Sequence, residues 1–216
     1  MEVMDAIQKR RSIRKFIRKA VKRKDLLKML NAARMAPSGG NSQPWHFIVV
    51  QNTKTINKMV NIISKKINDL PKMLKGLVGS SRTKAYFLAY QFTRSSLFFG
   101  EAPITIAVLV KYFDYPYVKY FTRKGLDLFE ANKYFGFVEM QSAAAAIENL
   151  LLTSHALGYG ACWMNIPFIA KDELKRILGV RSPWDLIALV PIGVPDTAYL
   201  PKKLKRKKVE QIVSFL

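Results

Sequence analysis

The chain has 216 residues, enough to bury a core as one compact domain, and half of them are hydrophobic, which excludes a disordered polar chain. Lys and Arg number 36 against 15 Asp and Glu; the net charge of +21 favours anionic partners and solubility but does not bear on fold. One cysteine, Cys162, rules out an intrachain disulfide or a cysteine cluster, and two histidines, His46 and His155, are too few for a histidine-rich metal site, so no metal is expected.

In chain order, residues 2–10 are predicted as a short helix with Val3, Ile7 and Met4 on its inner face. This acidic and basic start lacks the apolar stretch of a secretory signal. Arg10-Arg11-Ser12-Ile13-Arg14 follows, with three guanidinium forks and a hydroxyl, a donor set suited to phosphate. On its own, a basic run is usually a solvated face. Residues 25–35 form a second expected helix, with Asp25 at its start and Leu26, Leu27, Leu30 and Ala33 as its apolar stripe. It runs into Ala36-Pro37-Ser38-Gly39-Gly40-Asn41-Ser42-Gln43-Pro44-Trp45-His46-Phe47, where two prolines and two glycines impose an irregular backbone before a strand over 47–51. Ser38, Asn41, Ser42 and Gln43 supply donors and acceptors that suit a flat heterocycle. By composition alone the loop is an ordinary polar connection.

Thr53 is expected to cap the next helix, in which Ile56, Met59, Val60, Ile63 and Ile67 recur at helical spacing as core. The pattern loosens over 68–100 and 112–134, where a substrate lid and ordinary surface helices read equally well. Between them, 104–110 is a central strand. The apolar stretch 86–110 is broken by Arg94, Gly100, Glu101 and Pro103, so no membrane span is read there, and a cytoplasmic location is the default expectation. Residues 136–156 make the longest helix, apolar nearly all round and therefore deeply buried, with Gly158 as its stop. Its Ala143, Ala144, Ala145 and Ala146 offer a smooth patch for another backbone. Strands near 160–164 and 186–192 flank a short helix at 172–178, and the tail ends in a basic run, Lys202 to Lys208. Cys162 reads as a buried small residue, His46 as a hydrogen-bonded structural residue, and His155 as a helix-end residue suited to the dipole.

Several of these stretches together resemble the FMN-dependent nitroreductase family. Its members follow a short first helix with Arg-x-Ser-x-Arg/Lys and later carry Pro-Ser-x-x-Asn-x-Gln-Pro-Trp. Lys9 to Phe16 and Ala36 to Phe47 match both in order and spacing. Asn149 to Gly160 is similar to the family's Asn-x-x-Leu-x-Ala-x-x-x-Gly-x-Gly, with Ser154 in place of Ala. Pro191-Ile192-Gly193-Val194-Pro195 and Arg206 resemble its tail. Ser142 departs from the acidic residue of many members. The likeness touches both ends and the middle of the chain and is weakest over 68–135.

The resemblance implies an α+β, nitroreductase-like fold: a central mixed or antiparallel sheet surrounded by helices, in an intertwined homodimer. It implies one FMN-binding domain over 1–216, with a variable lid or substrate region near 68–135 and a C-terminal arm near 195–216. Arg10, Ser12 and Arg206 would hold the FMN phosphate, with Arg11 assisting. Arg14 would lie near the pyrimidine side of the flavin, where a fixed cation favours the reduced, anionic ring. Asn41 and Gln43 would read the polar edge, and Pro37, Ser38 and Gly39 would reach the cofactor from the neighbouring subunit. Backbone around Trp163, Met164 and Asn165 would sit beside N5. No side chain is nominated as catalytic, because the flavin carries the chemistry.

The implied activity is that of an NAD(P)H oxidoreductase. Hydride would pass in ping-pong order from NADH or NADPH through flavin N5 to a nitroaromatic, quinone or related small acceptor. Alternatives on the same fold are a dehalogenase, a flavin-fragmenting enzyme or an oxidase. A basic nucleic-acid-binding protein is the remaining alternative, but the charges are dispersed and no zinc-finger or RNP-type motif is present. Neither a specific nucleic acid nor a membrane is expected as a partner.

Overall fold

An uninterrupted apolar, β-branched run belongs in the middle of a sheet, with both faces covered. In the computed structural model, which describes residues 2–73, 87, 91, 95–112, 116–126, 136–165, 170–202 and 204–216, that run is β3 (Ile104–Lys111). Ile104, Ile106, Val108 and Val110 point into one hydrophobic cluster, and Ala107 and Leu109 into another on the opposite face. β3 pairs antiparallel with β2 (Trp45–Val50) on one side and β5 (Trp184–Pro195) on the other. β5 also pairs antiparallel with the two-residue strands β1 (Phe16–Ile17) and β4 (Gly160–Ala161). The β3–β5 register shifts where Val108 faces Ala188 and Leu109 faces Leu186. Ile187 is the extra residue of that bulge, and it turns into the same cluster as Ala188.

Two helices cover each face. α2 (Arg23–Arg34) supplies Leu26, Met29 and Ala33 to the first cluster, and α5 (Val138–Ala156) supplies Ala143, Ala146, Ile147, Leu150 and Leu151. α3 (Thr53–Met73) supplies Ile56, Met59, Ile63 and Ile67 to the second, joined by Leu174 of α6 (Lys171–Ile177). Met29, Met59 and Leu150 are wholly buried, so truncating any of them to Ala would cost about 2–5 kcal/mol. Two further helices, α1 (Val3–Lys9) and α4 (Pro116–Arg123), complete the described set, and α1 rests on α5. No described helix is long and apolar enough to cross a membrane.

α5 is buried as expected, yet it carries Glu139, Ser142 and Ser154 into the interior. The two serine hydroxyls donate to backbone carbonyls one turn back, Ser142 to Val138 at 2.8 Å and Ser154 to Leu150 at 2.7 Å. Gly158, at φ +81°, ends the helix with both bonds of a Schellman turn: its own N–H reaches His155 O at 2.9 Å, and that of Tyr159 reaches Ser154 O at 2.8 Å. Asn149 donates from Nδ2 to Ala32 O at 3.1 Å and so fastens the end of α2, where the 37–43 loop departs.

Several local expectations are corrected. Val3, Met4 and Ile7 are exposed, at 70%, 62% and 49%; only the small Ala6 lets α1 approach α5 and is buried. Of the alanine patch, Ala143 and Ala146 face the chain's own core, which leaves Ala144 and Ala145 partly exposed. Asn52, not Thr53, caps α3, accepting from the Thr55 N–H at 3.0 Å. α2 begins two residues before Asp25, whose Oδ2 accepts from the Tyr159 hydroxyl at 3.0 Å. The expected strand at 160–164 is β4 followed by a single bridge, Met164 to Leu189. Much of the expected lid region, including Tyr86, Tyr90 and Phe92, lies outside the described residues.

Candidate functional site

The 10–14 segment leaves α1 and lies on β4 as an extra, parallel edge. Ser12 bridges Ala161, and the Ile13 N–H donates to Ala161 O at 3.0 Å. Gly160 makes this approach possible, because a Cβ there would sit 2.6 Å from that of Ile13. With Ile13 turned into the core, Ser12 and Arg14 face the other way.

They face a cavity of about 790 Å³, lined by Arg10, Arg11, Ser12 and Arg14 from this segment and by Lys202, Leu204 and Arg206 from the tail. Among the described residues, five cations converge there against one carboxylate, Glu148 of α5. Glu148 Oε1 lies 3.2 Å from Arg10 Nε, an ion pair whose N–H is not aligned for a hydrogen bond, and Arg10 Nε is buried without another partner. Arg11 is already engaged, donating from one nitrogen to Gln8 O at 2.8 Å and Arg10 O at 2.7 Å. Its head closes the C-terminal end of α1, which makes it a weaker candidate for an external anion than Arg10.

Arg14 also lines a second cavity, of about 440 Å³, with Phe98, Cys162, Trp163, Met164 and Asn165. Its guanidinium carbon stands 5.8 Å from the centre of the Phe98 ring, a cation–π contact that fixes the head between the two cavities. A third cavity, of about 370 Å³, shares Trp163 and Asn165 and is also lined by Met140 and the bulged Ile187. The segment 10–14 and Arg206 thus line one cavity, and the Trp163 to Asn165 turn lines two neighbouring ones, the first of which shares Arg14.

The 37–43 loop does not join them. It packs at the start of α5, where a Cβ on Gly39 would lie 2.5 Å from Val138 Cγ1. Val138 and Glu148 are ten residues apart on one helix, so the loop sits about 15 Å along the axis from the cationic cavity. Pro37, Ser38, Gly39, Asn41 and Gln43 line none of the three cavities. The loop is internally braced: Ser38 Oγ accepts from the Gln43 N–H at 3.0 Å, and Gln43 Nε2 donates to Asn41 Oδ1 at 3.3 Å. Asn41 (φ +53°) and Gln43 (φ +46°) adopt left-handed backbone, a strained conformation for residues with side chains.

Cys162 is buried as expected. Burial pushes its thiol up against the weaker opposing pull of Arg14, Ser12 and Arg10, which leaves it an inert thiol rather than a thiolate. His155 is corrected: burial first, then Arg10, Arg11 and Lys9, lower its pKa, so it is a neutral imidazole rather than a cation matched to the dipole. Its Nε2 is buried without a hydrogen-bond partner. His46 meets the Trp184 ring in a tilted contact, 5.3 Å between ring centres and 43° between planes, and makes no side-chain hydrogen bond among the described residues. Lys202 and Glu148 are cavity residues that the sequence reading missed. Lys202 lies one helical spacing before Arg206 in the same basic run, whereas nothing local to Glu148 distinguishes it from a solvated acid.

Comparison with known proteins places these features. A solved BluB-like flavoprotein from Clostridium difficile 630 superimposes with a TM-score of 0.86 at 32% identity, covering 100% of this chain and 99% of the other. An Archaeoglobus fulgidus protein, provisionally named an NADH dehydrogenase/NAD(P)H nitroreductase, is 26% identical over 96% of this chain and 98% of its own. An iodotyrosine deiodinase from Thermotoga neapolitana is 25% identical, covering 89% of this chain and 88% of its own. The Nitroreductase family model matches residues 7–194, and on that match the chain belongs to the nitroreductase family.

Proposed function

We propose that this chain is an FMN-dependent NAD(P)H oxidoreductase that works as a homodimer and reduces a small nitroaromatic, quinone or related acceptor. The observation that carries the reading is the convergence of Arg10, Ser12, Arg14 and Arg206 on one cavity, with Arg14 also lining the neighbouring cavity at the Trp163 to Asn165 turn. The cavity passes a test of chemical fit. A buried Arg10 Nε without an aligned acceptor, a serine hydroxyl and the tail cations make a donor set for a terminal dianion.

When bound, FMN supplies the hydride-transferring centre. Arg10, Ser12 and Arg206 would hold its phosphate, and Lys202 would add a further positive charge. Arg14, held by Phe98, would supply a cation that favours negative charge on the ring system. Backbone around Trp163, Met164 and Asn165 would lie beside the ring system, and Met140 and Ile187 line the hollow next to it.

The loop 37–43 reads best as a contribution to the partner's site, because it lies away from its own chain's cavities yet is rigidly built. Two unpartnered apolar sets support a dimer: Val3, Met4 and Ile7 on α1, and Leu204, Val209, Ile212 and Phe215 on the tail. Dehalogenation is the second reading, favoured by the iodotyrosine deiodinase relative.

Absorbance of gently purified protein, with and without added FMN, is the first test; a colourless protein that leaves added FMN unbound would overturn the proposal. Initial rates with NADH or NADPH and a quinone then separate the readings. Parallel lines fit one slot used in turn by donor and acceptor, while turnover of a halogenated phenol without quinone turnover supports dehalogenation.

A further inference from the structure

Among the residues that line the cationic cavity, one carries the wrong charge for an anion site. Glu148 places Oε1 3.2 Å from Arg10 Nε, inside a ring otherwise made of Arg11, Arg14, Lys202 and Arg206. Its side chain is 43% exposed, against 22% for Arg10, so the carboxylate can swing into solvent while the arginine stays in the wall. The pair has the distance of an ion pair without the alignment of a hydrogen bond, which makes it easy to displace.

We infer that Glu148 is a built-in counterion: it competes with the ligand phosphate for Arg10 and sets how strongly this cavity favours a phosphorylated ligand. The inference rests on the proposed reading of this cavity as the FMN phosphate site. In the free protein Glu148 neutralises one of five clustered cations, whose mutual repulsion would otherwise act against folding. An arriving dianion must break that contact and then lies beside a carboxylate of its own sign. Both effects weaken phosphate binding, and neither touches a ligand that lacks the phosphate. Glu148 is therefore a positioning and specificity residue, acting through Arg10 and not on the reacting atoms.

The test is flavin fluorescence titration of the parent, Glu148→Gln and Glu148→Ala with FMN and with riboflavin, accompanied by competition from inorganic phosphate. Both variants should bind FMN and inorganic phosphate about two- to tenfold more tightly, with riboflavin affinity unchanged, because the effect is the loss of one exposed charge pair. Thermal melts of the variants check that they are folded. A merely structural role would shift FMN and riboflavin together. Unchanged or weaker FMN binding by folded variants, or an equal shift for riboflavin, would overturn the inference while leaving the FMN reading intact. If the parent binds phosphate but no FMN, the flavin reading fails and the phosphate comparison alone decides the role of Glu148. Failure of the parent to bind either would overturn both.

Discussion

The segment 10–14 and the loop 37–43 are both short, polar and irregular, but their surroundings differ. The segment is seated on β4 through Gly160, is completed by Arg206 of its own tail, and opens on a cavity within one chain. The loop is braced by its own side chains, strained at Asn41 and Gln43, and lines none of the three cavities. Strain and internal bonding away from these cavities are what a loop built for another molecule would show. The contrast teaches that one half of the proposed site is assembled within the chain, whereas the other half needs a second chain if it is to reach a cofactor at all.

The largest expected effect falls on the seated half. Arg10→Ala or Arg14→Ala should each weaken FMN binding about ten- to a hundredfold, since a charge-assisted hydrogen bond contributes about 1.5–3 kcal/mol. Equilibrium titration checks this. FMN affinity equal to the parent's in both variants would remove the segment from the site. Next comes its seat. Gly160→Val puts atoms where Ile13 already lies, so stability should fall by about 1–3 kcal/mol, and FMN affinity with it, as read by urea unfolding and titration.

The loop should respond with opposite signs. Gln43→Gly relieves a left-handed residue and should raise stability by up to about 1 kcal/mol while lowering FMN affinity. A variant that loses both stability and affinity would make the conformation a consequence of packing and not of function. The smallest effect concerns His155. Its pKa is lowered in the folded chain, so between that value and the unfolded value near 6.5 the unfolded state binds more protons. Stability should therefore decline as pH falls below about 6.5, and His155→Gln should flatten that part of the profile. Parallel profiles for parent and variant would show that the imidazole is not held neutral.

The sequence made the fold legible where the pattern was dense. β3 had to be central because every residue from Ile104 to Val110 is apolar or small enough to bury, and α5 had to lie in the core because its apolar residues run nearly all round it. Arg10, Ser12, Arg14 and Arg206 are grouped by the family resemblance, not by local pattern, and all four line one cavity of the chain. What escaped depends on which partner a residue meets. Val3 and Ile7 form a perfectly good inner stripe for α1, but Ala6 is the side chain small enough to let the helix approach α5. Asn52 outcompetes Thr53 as cap only because α3 starts at Thr53 itself. His155 suited a helix end by sequence, but the fold buries it and then sets Arg10, Arg11 and Lys9 around it, which no local pattern encodes. The Ile187 bulge depends on a register between strands far apart in sequence, which no local pattern encodes.

The most direct test of a site shared between subunits is complementation. Arg10→Ala disables the segment, and Asn41→Ala with Gln43→Ala disables the loop. Each homodimer then carries two damaged sites, while a heterodimer of the two carries one intact site and one doubly damaged site, by symmetry. Coexpression with two different tags and sequential purification isolates that heterodimer. FMN titration should find one tight site per dimer with the parent's affinity, although both variant homodimers bind weakly. A heterodimer with two weak sites and no tight one, or a stable monomer that holds FMN as tightly as the parent, would contradict a flavin site built from two chains.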